Sequence, residues 1–139
     1  MEIVSLVISG FAALFSIYTF IKSWIVERRQ NTIDAYIALQ DDLYYIYEYS
    51  NNEIETFVTD RTSTEYKILS TCIAKIEIFA TGVRENVYVF NTFYSMAHGY
   101  LDGTLRNKLE YILNMKSENT IEEFYQNTRW LLREMDKRN

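Results

Sequence analysis

The chain contains no proline and only 4 glycines in 139 residues, where average usage of about 5% and 7% would supply roughly seven and ten. Few positions can therefore break a helix or force a turn. A single cysteine, Cys72, excludes a disulfide framework and a paired-cysteine zinc site, and a single histidine, His98, leaves little for imidazole ligation. A glycine-rich phosphate loop, a nucleophile elbow and a His-Glu metal motif are missing as well. What is abundant is aromatic: 16% of residues, 12 of them Tyr, within an ordinary 48% hydrophobic and 24% charged composition. Such a chain is neither disordered nor low-complexity, and its length suits one compact domain plus an anchor. The expected class is all-α.

Ile3 to Ile21 reads IVSLVISGFAALFSIYTFI, a run without a charge. At about 1.5 Å per residue it would span about 28 Å, close to the roughly 30 Å hydrocarbon thickness of a bilayer. Lys22, Trp24, Arg28 and Arg29 follow it, an aromatic interface residue and a basic collar. Positive charge lies behind the apolar run rather than before it, and Lys-Ser-Trp-Ile offers no small-residue cleavage site. The run therefore reads as an uncleaved signal anchor, not a secretory leader. By the positive-inside rule the collar places the N-terminus outside and the remainder in the cytosol, a compartment consistent with a free Cys72. Residues 1–29 are thus expected to form a transmembrane anchor that meets lipid through residues 3–21. Ser5, Ser9, Gly10, Ala12, Ala13 and Ser16 gather small side chains on its helix, which either permits self-association or reflects how common small residues are in membrane helices.

Residues 30–139 are expected to form a cytosolic antiparallel helical bundle. No proline or glycine occurs between Val26 and Thr81, so nothing forces the membrane helix to stop at the surface. Ile25, Thr32, Tyr36, Leu39, Leu43 and Ile46 continue at helical spacing to about Ser50. Ile33, Ile37, Tyr44 and Tyr47 widen that apolar face beyond a two-stranded seam, favouring packing inside a bundle over a free stalk. A polar stretch from Asn51 to about Thr62 follows. Thr62-Ser63-Thr64-Glu65 has the form of a capping box opening a helix with Leu69, Cys72, Ile73, Ile76, Phe79, Ala80 and Val83 inside and Gly82 as its terminator. Asn86 can cap a further helix with Val89, Phe90, Phe93, Ala97 and Tyr100. Leu105, Leu109, Ile112 and Leu113 predict a short helix ending near Lys116. A second capping box, Thr120-Ile121-Glu122-Glu123, predicts a last helix with Ile121, Phe124, Tyr125, Thr128, Leu131, Leu132 and Met135 on its core side.

The stretch Lys75-Ile76-Glu77-Ile78-Phe79-Ala80-Thr81-Gly82-Val83-Arg84-Glu85-Asn86-Val87-Tyr88, with Asn127-Thr128-Arg129-Trp130-Leu131 further on, resembles a bacterial family of small single-pass membrane proteins, domain-of-unknown-function family 4760. The resemblance covers roughly Ile68 to Met135. The family's order after the basic turn usually has an acidic residue introducing the next helix, where this chain has Asn86. The resemblance implies a membrane-anchored helical protein and brings no activity, substrate or catalytic residue with it.

Three groups of side chains are candidates for function. Glu77 lies among Ile73, Ile76, Ile78 and Phe79, and a buried carboxylate must be paired or protonated; Arg84 or Arg129 would supply a structural ion pair, and the alternative is a switch or acid–base group beside a cleft. Asp41, Asp42 and Glu48 form the densest acid group near a helix and read as a solvated face. Leu43-Tyr44-Tyr45-Ile46-Tyr47-Glu48-Tyr49 places aromatics all round a helix. With Leu43, Tyr44 and Tyr47 inward, Tyr45 and Tyr49 would be an exposed pair suited to a protein partner or, alternatively, a cover over other helices. His98 reads as a helix-end or surface histidine, and Cys72 as a small core residue.

Setting aside Lys22, Arg28 and Arg29 from the 14 basic residues, and Glu2 and Glu27 from the 19 acidic ones, leaves 11 against 17 from Gln30 onward, a net charge of about −6. That opposes nucleic-acid binding by counterion release and keeps the body from an anionic leaflet. No cofactor, metal or small-molecule substrate is indicated. The expected function is a membrane-tethered helical interaction or scaffold module, self-associating or holding a protein partner. Two alternatives differ in class: an oligomerising membrane effector of toxin or phage-defence type that perturbs the bilayer, and a carboxylate enzyme joining Glu77 to other acids in a cleft.

Overall fold

Residues 1–101, 103–117 and 125–138 are described by the computed structural model of the chain. With no residue to interrupt it, the first helix does not stop at the basic collar: α1 runs from Glu2 to Glu48 as one unbroken element of 47 residues, about 70 Å long at about 1.5 Å per residue. It is followed by α2 (Asn51–Thr59), α3 (Thr64–Arg84), α4 (Phe90–Leu101), α5 (Thr104–Ser117) and α6 (Gln126–Asp136). Among the described residues the protein is all-α, six helices without a strand. The amino-terminal part of α1 stands outside the bundle, and its apolar stretch is long enough to cross a membrane by length and composition, with none of it buried in the protein.

The bundle gathers around the other half of α1, whose Tyr36, Leu39, Leu43 and Ile46 face the core. α3 runs antiparallel to α1: Asp42 meets Cys72 and Lys75, Tyr36 meets Phe79, and Arg28 meets Asn86 at the end nearest the apolar stretch. α4 descends beside it, fixed at its start by the Val89 amide, which donates to Thr32 Oγ1 at 2.8 Å. α6 packs mainly on α3, and α5 bridges α1 and α2. The centre is aromatic. Tyr36 and Phe93 meet edge to face at 5.7 Å, and Phe79 lies 5.3 Å from Phe93 and 5.3 Å from Tyr88, distances at which ring quadrupoles attract beyond simple area burial.

Several boundaries differ from those the sequence suggests. The polar stretch from Asn51 is mostly helix: Ser50 caps α2 by accepting from the Glu53 amide, and Ile54 is fully buried. The cap of α3 falls one residue later than the Thr62 box implies. Ser63 accepts from the Tyr66 amide, while Thr62 binds Asp60 Oδ1 through both its amide and its hydroxyl. Gly82 does not end α3. It sits inside the last turn, where its carbonyl accepts from the Val87 and Tyr88 amides at 2.9 and 3.0 Å, and the reversal is made by Asn86 at φ 60°, a left-handed conformation that Asn tolerates better than most residues. Gly82 is required for contact instead: a Cβ there would lie 2.5 Å from the Tyr88 ring. The proposed Thr120–Glu123 capping box, with Ile121 and Phe124, lies outside the described residues.

Candidate interaction surface

At the end of the apolar stretch, Lys22, Trp24 and Arg29 are exposed, as collar residues would be. Arg28 is different. Its guanidinium stacks over the Trp24 ring at 4.8 Å and donates through Nη2 to the Asn86 carbonyl, so one of the four collar residues ties α1 to the α3–α4 turn. Thr32, one helical turn on, is fully buried. The bundle therefore begins directly below the collar, with no linker between.

The tyrosine cluster is turned the opposite way from the sequence expectation. Tyr45 and Tyr49 do form an edge-to-face pair at 4.9 Å, but both are half-buried against the core, and Tyr49 packs on Phe57 of α2. Tyr44 and Tyr47, expected inside, are 55% and 45% exposed. The cause is register. With Tyr36, Leu39, Leu43 and Ile46 fixing the inward face, Tyr45 and Tyr49 fall on the side covered by α2 and α3, while Tyr44 and Tyr47 pass the edge of α4 into solvent. Burial and the Tyr49 hydroxyl together push the Tyr45 phenol up to about 12.

Tyr44, Tyr47 and Tyr100 form the exposed ledge that results. The rings of Tyr44 and Tyr47 stack at 6.5 Å, Tyr47 lies 6.4 Å from Tyr100, and Lys108 sits 5.1 Å over Tyr47 while donating to its carbonyl. Burial, then the neighbouring Tyr44 and Tyr47, raise the Tyr100 phenol above its ordinary value. Beside the ledge is an open cleft of about 280 Å³ lined by Gln40, Asp41, Tyr44 and Tyr100. Ile37, 56% exposed, is on the same side of α1 one turn before Asp41. Tyr is enriched at protein interfaces, and contiguous apolar patches in solvent mark contact surfaces more often than single exposed side chains do.

The acids resolve into structural roles. Glu77 is not paired with Arg84 or Arg129. Its carboxylate accepts from the Asn127 amide at 3.1 Å, the Thr128 amide at 2.8 Å and the Thr128 hydroxyl at 2.6 Å, capping the first turn of α6 with negative charge where the helix dipole favours it. Arg84 instead donates to Asn127 Oδ1 and stacks over Trp130, and Arg129 donates to the Leu113 carbonyl. Asp42, expected on a solvated face, is buried, accepting from the Cys72 thiol at 3.3 Å and from Lys75 at 3.4 Å. Burial first, then the Asp42 carboxylate, push the Cys72 thiol up to about 12. His98 is on the surface, its Nδ1 3.0 Å from the Tyr94 carbonyl. A second open cleft, about 230 Å³ between α5 and α6, is lined by Arg106, Glu110, Arg129, Arg133 and Asp136 among others, with Arg106 tied to Asp136 and Glu110. Among the described residues no group of three or more His, Cys, Asp or Glu could hold a metal ion.

The class these features define is an all-α bundle built on the lower half of a long apolar-headed helix, with a tyrosine ledge beside it. No family model matches the chain, and no match is found among the curated proteins or the solved structures.

Proposed function

We propose that the chain is a membrane-tethered helical interaction module. In this reading residues 3–21 cross the lipid with the N-terminus outside, Lys22, Trp24 and Arg29 meet the headgroups, and the bundle lies in the cytosol. The observation that carries it is the continuity of α1. A fully exposed apolar stretch and a folded body share one helix, and apolar side chains left in water over that length would cost far more than a small domain's stability. The exposed Tyr44, Tyr47 and Tyr100 supply the contact surface, in place of Tyr45 and Tyr49.

The test is topological and then biochemical. A reporter fused after Asn139 should be active only in the cytosol, and the chain should stay with membranes through alkaline extraction. Crosslinking from intact membranes should then capture a protein through the ledge, and Tyr44→Ala with Tyr47→Ala should abolish the capture. A reporter that faces the exterior, or a chain soluble without detergent, would remove the proposal.

The bilayer-perturbing effector is the second reading, favoured by the exposed small residues Ser5, Ser9, Ala12 and Ser16. It requires that overproduction depolarise cells; a voltage-sensitive dye showing steady potential at high expression removes it.

A further inference from the structure

The exposed side of α1 carries a pattern that runs through its whole length. Ser5, Ser9, Ala12, Ser16, Thr19, Ser23, Val26, Gln30, Ile33, Ile37, Gln40, Tyr44 and Tyr47 follow one another at alternating spacings of four and three without a fault. From Val26 on, where Val26, Ile33, Ile37, Tyr44 and Tyr47 are apolar or aromatic and Gln30 and Gln40 are polar, these positions are those of a heptad seam, the period that keeps one face toward a partner helix. It is separate from the face that builds the bundle, Thr32, Tyr36, Leu39, Leu43 and Ile46. Every seam residue is exposed except the half-buried Ile33; Val26, Ile37 and Tyr44 are 57%, 56% and 55% exposed. At its lower end the bundle reaches this face, where Tyr47 packs on Tyr100 and under Lys108, while Val26, Ile37 and Tyr44 remain more than half exposed.

The character of the seam changes where the environment changes. In the apolar stretch it is Ser, Ala and Thr, small enough for two backbones to approach closely in lipid, where packing rather than water drives association. From Val26 on it becomes Val, Ile and Tyr with Gln30 and Gln40, the larger residues that pair helices in water. Polar residues at a seam position cost stability but select register and strand number.

The flanking charges choose the occupant. With Ser9, Ser16, Ser23, Gln30, Ile37 and Tyr44 at position a, Lys22 and Arg29 fall at g, and Glu27 and Asp34 at e. In a parallel, in-register pair each g residue faces the e residue of the partner's next heptad. Lys22 then faces Glu27 of the partner subunit, and Arg29 faces Asp34 of the partner subunit, opposite charges in both places. All four are exposed. An antiparallel pair would lose this match, and two copies sharing one membrane orientation can only meet in parallel. We infer that the occupant of this face is a second copy of the same chain, joined along α1 from the apolar stretch to the tyrosine ledge. The inference rests on the membrane-tethered reading above and names its partner.

Site-directed disulfide crosslinking in native membranes tests it, using the full chain with Cys72→Ala. Gln30→Cys and Gln40→Cys lie on the seam, while Asn31→Cys and Ala38→Cys are exposed on the other side of α1. Seam cysteines should give on the order of tenfold more covalent dimer than the off-seam pair, as expected of a two-stranded seam. Arg29→Asp should reduce the dimer formed at Gln40→Cys by placing like charges together, and adding Asp34→Arg should restore it. Equal crosslinking on both sides, or a double charge variant no better than the single one, overturns the inference. A chain that stays embedded and captures a different protein through the ledge, yet gives no dimer at Gln30→Cys or Gln40→Cys, removes self-pairing and leaves the tethered module standing. A chain recovered in the soluble fraction removes both.

Discussion

Four residues in this fold carry measurable consequences of their surroundings. Cys72 and Tyr45 form the first case: the thiol is pushed from about 9 to about 12 and the phenol from about 10 to about 12, so folding favours the protonated form of each. Stability from these groups is complete below the unfolded-state values and is lost as pH rises through the folded ones. Denaturant midpoints should therefore hold up to about pH 9 and decline between about pH 9 and 12, with a shallower decline in Cys72→Ala. A thiol reagent at pH 8 should label Cys72 only after unfolding, because the reactive thiolate is suppressed; rapid labelling of the native chain would contradict its placement against Asp42. Glu77 is the second. Glu77→Ala removes the acceptor of two amides and a hydroxyl at the head of α6 and should lower unfolding free energy by about 1–3 kcal/mol, with Glu77→Gln intermediate. The third is Tyr36, 2% exposed, whose hydroxyl finds no hydrogen-bond partner among the described residues. Since an unsatisfied buried hydroxyl costs about 1–3 kcal/mol, Tyr36→Phe should leave stability unchanged or raise it while keeping the ring contacts with Phe79 and Phe93.

The elements show where sequence patterns carry information and where they stop. Periodic apolar spacing sufficed for α1, α3, α4 and α5, because those helices are long enough for one face to repeat several times. It failed for α2, whose nine residues offer one buried position, Ile54; the available signal was Ser50-Asn51-Asn52-Glu53, itself a capping-box pattern. The partner of Glu77 was not legible because a helix amide leaves no trace in composition, whereas an arginine does. Tyr44 and Tyr47 were misplaced because a run of aromatics has no period of its own, and only the neighbours α2, α3 and α4 decide which ring is covered. Glycine is the sharpest case of context. Gly82→Ala brings a methyl against Tyr88 and should destabilise by about 1–3 kcal/mol through overpacking. Gly99, inside α4 with open space around it, should gain about 0.5–1 kcal/mol as Ala. Thermal melts of the two variants should move in opposite directions.

At the scale of the whole molecule, the collar marks the point where the exposed rod becomes a folded body. Every buried residue lies beyond Trp24, so a chain starting at Ile25 retains the entire core and should give a helical circular dichroism spectrum with a cooperative melt. Loss of that melt would show that the apolar stretch contributes to folding and not only to location. Arg28→Ala, which severs the tie to Asn86, should leave this melt within about 1 kcal/mol of the parent, since a part-exposed charged hydrogen bond contributes modestly. The absence of proline first noted in the sequence has its largest effect here. From Glu2 to Glu48 no proline interrupts the helix, so a rotation imposed on the oily end is carried along one continuous hydrogen-bonded rod toward the tyrosines at the other.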